Sequence, residues 1–178
     1  MEFQELIEAR RSIRKYSSTG KPGREELLQM IQAAQEAPSW KNSQTGRYYC
    51  IESEEMLSRL CRECLLSGNG EKAEHAALIV TTFVRDRAGF QKDGTWDNEL
   101  GNGWGCYDLG LQNENLILKA AELGYGTLIM GLRDSERIRE LLSIPQEEIV
   151  GAVIAVGKAA EIPNRPRRKA TEEITKFF

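Results

Sequence analysis

Residues 106–123, CYDLGLQNENLILKAAEL, carry a strong helical pattern that organises the rest of the fold. Leu109, Leu116 and Ala120 recur at helical spacing, which predicts one long helix that is ended by Gly124. Apolar side chains lie around much of its circumference. A helix of this kind needs more than one covering neighbour, so we expect it at the centre of the fold or at an interface between subunits.

Four stretches outside this helix have the apolar patterns of β-strands, and the clearest is ALIVTTFV, residues 77–84. This near-continuous apolar and β-branched run is typical of a strand covered on both faces. Tyr48 and Cys50 alternate with polar neighbours in a strand that ends near Glu52. The other two predicted strands cover residues 126–130 and 149–156.

Amphipathic patterns between the strands predict helices. They cover residues 2–10, a stretch from Leu27 to Ala34 that is ended by Pro38, residues 54–66, and a helix capped by Ser135 that runs to Leu142. Residues 67–70 are a predicted loop. Because strands and helices interleave and helices dominate, we expect one α+β domain over residues 1–178, with a mixed or antiparallel sheet of about four strands wrapped by helices.

Residues 85–105 are polar and Gly-rich, with Phe90 and Trp96 isolated among them. A structureless stretch of this length inside a compact domain is commonly functional. It is therefore a candidate lid over a site.

The charge distribution favours a small anionic ligand. The formal net charge is -3, which argues against a nucleic-acid-binding protein. Two short basic clusters lie near opposite ends of the chain; they are Arg10, Arg11, Arg14 and Lys15, and Arg165, Arg167, Arg168 and Lys169. Such clusters suit a compact anion such as a phosphate monoester, and solvated surface charge is the alternative.

The remaining composition points to an ordinary intracellular protein. No apolar run approaches the ~20 residues needed to cross a bilayer, so we expect no membrane association. Met1 opens directly onto a polar amphipathic stretch, so we expect no secretory signal and a cytoplasmic location. The chain has four cysteines and one histidine. Cys61 and Cys64 form a C-x-x-C within a predicted helix, and we expect reduced thiols without chemistry and no metal site.

Several common catalytic patterns are absent from the sequence. No G-x-G-x-x-G joins a strand to a helix, and Gly157-Lys158 lacks the Ser or Thr of a phosphate-binding P-loop. The one histidine, His75, sits at the edge of a buried strand and is a poor candidate for a catalytic base. An enzyme with so few catalytic side chains needs its reactivity from a cofactor.

Five motifs in order carry a family resemblance. RRSIRKY (residues 10–16) is followed by APSWKNSQ (37–44), DLGLQNENL (108–116), LGYGT (123–127) and GK (157–158) before the Pro/Arg-rich tail. Together they resemble the nitroreductase family over nearly the whole chain. The resemblance implies a nitroreductase-like fold in an intertwined homodimer. It also implies an FMN-dependent enzyme that carries electrons from NADH or NADPH to a small acceptor, by ping-pong hydride transfer through flavin N5.

The resemblance also implies the cofactor contacts. Arg10, Arg11 and Ser12 would bind the phosphate and ribityl chain, joined from the tail by Arg165 and Arg168, while Arg14 and Lys72 would face the pyrimidine edge. Pro38, Ser39 and Trp40 would cover the flavin of the other subunit, braced by Asn42 and Gln44. Leu128, Ile129, Met130 and Gly131 would face the N5 side. No protein side chain is required as a catalytic acid or base.

The acceptor is less defined. Family members often have Pro-Trp after the Gln of the second motif, whereas this chain has Thr45-Gly46, which leaves the shape of the nearby pocket open. Phe90 and Trp96 are the predicted acceptor contacts, and a nitroaromatic or a quinone is the expected acceptor. The alternatives are a family relative with other flavin chemistry, such as dehalogenation or flavin breakdown, and a non-catalytic flavin-binding or storage protein.

Overall fold

Within residues 2–178, which the computed structural model describes, the chain forms seven α-helices and four β-strands. In chain order they are α1 (Phe3–Ala9), α2 (Arg24–Gln35), β1 (Gly46–Ile51), α3 (Glu54–Glu63), α4 (Asn69–Lys72), β2 (Ala77–Val84), α5 (Gly103–Glu122), β3 (Gly126–Met130), α6 (Ser135–Leu142), β4 (Glu148–Gly157) and α7 (Thr171–Ile174). A 3-10 turn, Trp40–Asn42, lies between α2 and β1. The predicted domain also includes Met1, which lies outside the described residues.

The strands form one sheet in the order β1-β2-β4-β3, and every neighbouring pair is antiparallel. The prediction of an α+β fold with about four strands is confirmed, and the sheet is antiparallel rather than mixed. β2 and β4 lie at the centre, as their apolar runs require, and β1 and β3 form the two edges. The candidate site depends on this separation of β1 from β3.

Helices cover both faces of the sheet. On one face, α2 and α5 pack against Ile79 of β2 and Ile154 of β4. On the other face, α3 and α6 bring Leu60 and Ile138 against Val153 and the neighbouring core residues. The long helix α5 therefore lies where its apolar pattern predicts, over the middle of the sheet.

Several elements differ from their predictions. Helix α5 begins at Gly103, earlier than predicted, and α3 ends at Glu63. The predicted loop at residues 67–70 contains the start of the short helix α4, which follows Gly68 in the left-handed conformation (φ 74°). The cap of α6 is Asp134 and not Ser135, because the Asp134 carboxylate accepts the amide hydrogen of Arg137 at 2.9 Å. The tail helix α7 was not predicted.

All four cysteine thiols are free, and three of them are buried or partly buried. Burial raises the pKa of Cys50 and of Cys64 to about 11 and also raises that of Cys61. Because the thiolate is the reactive form, these three side chains are poor nucleophiles. Among the described residues no group of His, Cys, Asp or Glu is arranged to hold a metal ion. Within residues 2–178, none of the helices is both long and apolar enough to cross a membrane.

Candidate functional site

The first basic cluster lies along the outer edge of β3. The Ile13 amide donates to the Thr127 carbonyl at 2.9 Å, and Ser12 bridges Thr127 in a parallel pairing. Ile13 and Tyr16 are buried, and the Tyr16 hydroxyl donates to the Ala155 carbonyl at 3.3 Å. Burial accordingly raises the pKa of Tyr16 above its ordinary value. These anchors fix the backbone between them and leave the Arg14 side chain exposed.

The C-terminal tail returns to this segment. The Ala160 amide donates to the Lys15 carbonyl at 2.9 Å, and Arg165 lies 3.6 Å from the carboxylate of Glu8 on α1. The two basic clusters consequently meet around a cavity of about 200 Å³. Its lining residues are Arg10, Arg11, Ser12, Arg14, Pro163, Asn164, Pro166 and Arg168.

This cavity, which we call the arginine cavity, is strongly cationic. Four of its lining residues are arginines, and none of the described residues that line it is acidic. Arg11 uses one guanidinium nitrogen to donate to the carbonyls of Glu8 and Arg10, at 2.5 and 2.7 Å. Within residues 2–178 no carboxylate lies within ion-pairing distance of Arg10 or Arg168. Unpaired guanidinium groups around a small cavity are suited to a phosphate group.

Beyond the arginine cavity, the outer edge of β3 continues through residues 128–131. Leu128 and Met130 are buried in the core, whereas the Ile129 side chain is 47% exposed. The Thr127 carbonyl faces this edge, because it accepts from Ile13. Backbone groups alternate along a strand, so the amide and carbonyl of Ile129 face the same edge. The predicted N5-side stretch therefore offers backbone groups and one apolar side chain next to the cavity.

Lys72 lies at the end of α4, on a segment that contacts the residues after β3. The Leu66 amide and the Asn69 side-chain amide both donate to the Leu132 carbonyl, at 3.2 and 3.1 Å. The Lys72 amine donates to the Ser67 carbonyl and to Asn69 Oδ1, each at 3.3 Å. The structure thus brings the predicted pyrimidine-edge lysine to the β3 side of the sheet.

The predicted covering segment, residues 38–44, lies elsewhere in the protomer. It is braced internally, because the Gln44 amide donates to Ser39 Oγ at 3.1 Å and the Gln44 side chain donates to Asn42 Oδ1 at 3.2 Å. It leads directly into β1, at the opposite edge of the sheet from β3. Three strand spacings, roughly 14 Å, separate the two edges. One chain therefore does not bring Pro38, Ser39 and Trp40 to its own arginine cavity.

Trp40 is held by its own chain. Its backbone amide donates to Asp108 Oδ2 at 2.8 Å, and its indole N–H donates to Asp97 Oδ2 at 2.9 Å. Its ring packs against Trp104, with the ring centroids 4.2 Å apart. Burial raises the pKa of Asp108, partly offset by the hydrogen bond from Trp40. Asp97, Trp104 and Asp108 were not identified as site residues from the sequence.

The tail contributes further residues that sequence reasoning missed. Asn164 and the prolines on either side of it line the arginine cavity together with Arg168. Arg165, by contrast, is not among the lining residues and its charge is paired with Glu8. In the sequence, the feature that could have pointed to Asn164 as a lining residue is its position between two prolines in a basic tail.

A second cavity, of about 630 Å³, lies between α3 and α4 and includes none of the predicted contacts. Its charges are mixed, since its lining includes Lys21 and Arg62 as well as Glu54, Glu71 and Glu74. Lys21 is already paired with Glu54 at 2.6 Å. Its larger volume does not make it the better site, since an anion would meet carboxylates there.

Comparisons with known proteins agree with one another. The family model described as "Nitroreductase family" matches residues 7–158. A relative from Methanothermobacter thermautotrophicus, named as a candidate NADH dehydrogenase/NAD(P)H nitroreductase, is 32% identical over 168 residues, which cover 92% of this chain and 80% of that protein. A nitroreductase family protein from Clostridium novyi superposes with a TM-score of 0.74 at 28% identity, over 89% of this chain and 87% of its own. A candidate nitroreductase from Exiguobacterium sibiricum, crystallised in complex with FMN, shares the fold with a TM-score of 0.87 at 24% identity, over 100% and 98% of the two chains.

Proposed function

This chain belongs to the nitroreductase family, and we propose that it is an FMN-dependent oxidoreductase. It takes electrons from NADH or NADPH and passes them to a small oxidised acceptor such as a nitroaromatic or a quinone. The observation that carries the proposal is the arginine cavity, in which Arg10 and Arg168 from opposite ends of the chain share one lining.

The arginine cavity fits the phosphate of FMN. A phosphate dianion needs charge and several directed donors, and guanidinium groups supply both. Arg10, Ser12 and Arg168 would hold the phosphate and the start of the ribityl chain, with Arg11 beside them. Arg165, which is paired with Glu8, would shape the tail and would not touch the phosphate.

The ring system would lie along the outer edge of β3. Ile129 and Gly131 are exposed there, and the backbone of Ile129 faces outward. Leu128 and Met130 would support the ring only from within the core. Bound FMN would supply the redox chemistry, carrying hydride from NAD(P)H to the acceptor through N5 in a ping-pong cycle. Arg14 and Lys72, as cations at the pyrimidine edge, would favour the reduced form of the cofactor.

The site requires a homodimer in this proposal. One protomer has the arginine cavity at one sheet edge and the covering segment, residues 38–44, at the other. A second copy would bring its own Pro38, Ser39 and Trp40 over the first protomer's ring, with Asn42 and Gln44 as braces. The outer face of α5, where Tyr107 and Gly110 are exposed, is the surface we assign to the contact between copies.

The acceptor would reach the ring from the side of residues 85–102. Phe90 and Trp96 pair with each other across a turn in this segment, and Trp96 is exposed. They are the apolar surfaces we assign to acceptor contact. No acid or base from the protein is assigned to the reaction.

The test is the colour of the purified protein. Wild type should show the absorbance of bound oxidised flavin, which NADH or NADPH should bleach and a quinone should restore. Arg10→Ala with Arg168→Ala should give colourless protein, because the double change removes two of the charge-assisted donors, each worth roughly 1.5–3 kcal/mol. Arg167→Ala is the matched control, since it removes a neighbouring tail charge that does not line the cavity.

Two results would overturn the proposal. Full flavin occupancy in the double variant would exclude the arginine cavity as the phosphate site. Flavin that stays oxidised under excess NADH and NADPH would favour a flavin-binding or storage protein instead.

A further inference from the structure

Asp97 is well shielded for a surface-loop carboxylate. It belongs to the segment of residues 85–102, yet its side chain is only 15% exposed. One oxygen accepts from the Trp40 indole N–H at 2.9 Å, and the Lys41 amine donates to both oxygens at 2.7 and 2.8 Å. The Asp97 amide donates to the Gly89 carbonyl at 2.8 Å, which fixes the carboxylate within its own loop.

A second hydrogen bond from an indole N–H to a loop side chain lies beside the one between Trp40 and Asp97. The Trp104 indole N–H donates to Asn98 Oδ1 at 2.8 Å, and the rings of Trp104 and Trp40 pack against each other. Two indoles in contact, tilted by 39° to each other, thus donate to the consecutive loop residues Asp97 and Asn98. The loop is thereby attached to α5 through Trp104 and to the segment of residues 38–44 through Trp40.

The segment on the other side needs such support. Lys41, Asn42 and Gln44 all have left-handed backbone conformations, with φ of 48°, 55° and 48°. Non-glycine residues pay a cost in this region, and a run of them persists only where the surroundings hold it. The Asp97 carboxylate contacts Lys41, the first of these residues, and Trp40, which immediately precedes it.

We propose that Asp97 is a positioning residue that joins the acceptor-contacting loop, residues 85–102, to the flavin-covering segment, residues 38–44, and so sets the width of the acceptor pocket. This inference rests on the proposed function. The covering segment of one copy serves the site of the other, so Asp97 acts on the partner's pocket through Trp40 and Lys41. Asp97 itself touches neither cofactor nor reacting atoms.

The experiment compares Asp97→Ala with Asp93→Ala. Asp93 is a carboxylate of the same loop, but its only side-chain hydrogen bonds with the residues that the structure describes come from the amide and hydroxyl of Thr95. In the FMN-loaded enzyme, Asp97→Ala should raise the KM for menadione about tenfold and leave kcat within about twofold, because it loosens binding without touching the chemical step. Asp93→Ala should change neither constant, and flavin occupancy should stay at the wild-type level in both variants.

Tryptophan fluorescence of the apoprotein tests the hydrogen bond between Asp97 and Trp40 directly. In apoprotein, Asp97→Ala should shift tryptophan emission to longer wavelength and increase quenching by acrylamide, because the Trp40 indole loses its partner. In a Trp40→Phe background, which keeps an aromatic ring but lacks the N–H, adding Asp97→Ala should produce little further change. Asp97→Asn keeps an acceptor for the indole but loses the charge that pairs with Lys41, so its effects should be intermediate. This milder variant also provides the measurement if Asp97→Ala does not fold.

The outcomes separate the two proposals. If wild type and variants are yellow and reducible but the menadione KM of Asp97→Ala equals that of Asp93→Ala, the positioning role is wrong and the proposed function stands. An unchanged emission spectrum in Asp97→Ala apoprotein also overturns it. If wild type carries no reducible flavin, the proposed function fails and the positioning role fails with it.

Discussion

Ile13 occupies the space that a side chain at Gly126 would fill. A Cβ built on Gly126 would lie 2.3 Å from Ile13 Cγ1, closer than any side-chain contact allows. Ile13 is also the residue whose amide donates to the Thr127 carbonyl. The packing of Ile13 against Gly126 therefore sets the position of the Arg10–Arg14 segment relative to β3. The glycine at the start of β3 is therefore part of what positions the arginine cavity.

Gly126→Ala should lower stability and weaken FMN binding together. Forcing one methyl into this packed contact costs roughly 1–3 kcal/mol, because either the Ile13 side chain or the backbone must move. The free energy of unfolding in urea measures the first effect, and flavin titration of the apoprotein measures the second.

Gly103→Ala is the matched control for this change. Its Cβ would lie 3.5 Å from Leu100 Cβ, an ordinary contact at the first residue of α5. Ile13→Ala should lower stability on its own, because it leaves a cavity in the core. Combined with Gly126→Ala, the total loss should be smaller than the sum of the two single losses, since removing Cγ1 relieves the clash. Strictly additive losses in that pair would contradict the packing explanation.

The buried carboxyl of Asp108 should give stability a pH dependence of a particular sign. Burial raises its pKa in the folded protein above the ordinary value of 3.8. The folded state therefore holds this proton to higher pH than the unfolded state. The contribution of Asp108 is most favourable at low pH and is lost as pH rises from about 3.8 through the folded pKa.

Asp108→Asn should remove this dependence while keeping an oxygen that accepts the Trp40 amide. The stability of the variant relative to wild type should increase as pH rises through the window. Asp93→Asn should change the pH dependence of stability in the opposite direction, because hydrogen bonds from Thr95 lower the pKa of Asp93. That contribution is present above 3.8 and is lost on acidification. Equal pH profiles for wild type and Asp108→Asn, from urea unfolding, would contradict the burial argument.

A charge on the outer face of α5 should separate the proposed dimer. Apart from its own helical turn, a Cβ on Gly110 would meet no atom of residues 2–178 within 4 Å, and Tyr107 beside it is 59% exposed. Gly110→Arg should raise the dimer dissociation constant at least tenfold, since an unpaired buried charge costs on the order of 2 kcal/mol or more. Flavin should also dissociate more readily, because the partner's segment completes the site.

Light scattering after size exclusion over a range of concentrations measures the dissociation constant. Leu28→Arg is the control, a similar insertion of charge on the exposed face of α2. A Gly110→Arg protein that remains as dimeric as the control would place the interface on another surface.

The fold was largely predictable because its strongest signals are local. The run at residues 77–84 and the helical pattern of residues 106–123 each follow from side chains adjacent in sequence. The helix α4 was missed because a helix of four residues that contains Gly70 carries no periodicity. The cap of α6 was placed one residue late because Asp134 and Ser135 are both good caps, and only the observed hydrogen bond distinguishes them.

The site was predictable in part, for a different reason. The residues of the arginine cavity belong to two compact basic motifs, so the sequence pointed to Arg10 and Arg168 before their proximity was known. The contacts of Trp40 with Asp97 and Asp108 could not be predicted in this way. They join segments far apart in sequence, and an isolated aspartate in a polar loop has no pattern that marks its partner.

Because Arg10 and Arg168 line the same cavity, ligand binding there should also affect the rate at which the protein is degraded in a cell. A bound phosphate there would act as a reversible tether between the first helix and a tail whose residues 164–170 are all exposed. Losing the ligand would release a flexible terminus, the kind of segment that proteases cleave first. Turnover would then favour removal of empty molecules, and supply of the vitamin-derived cofactor would control how much enzyme accumulates.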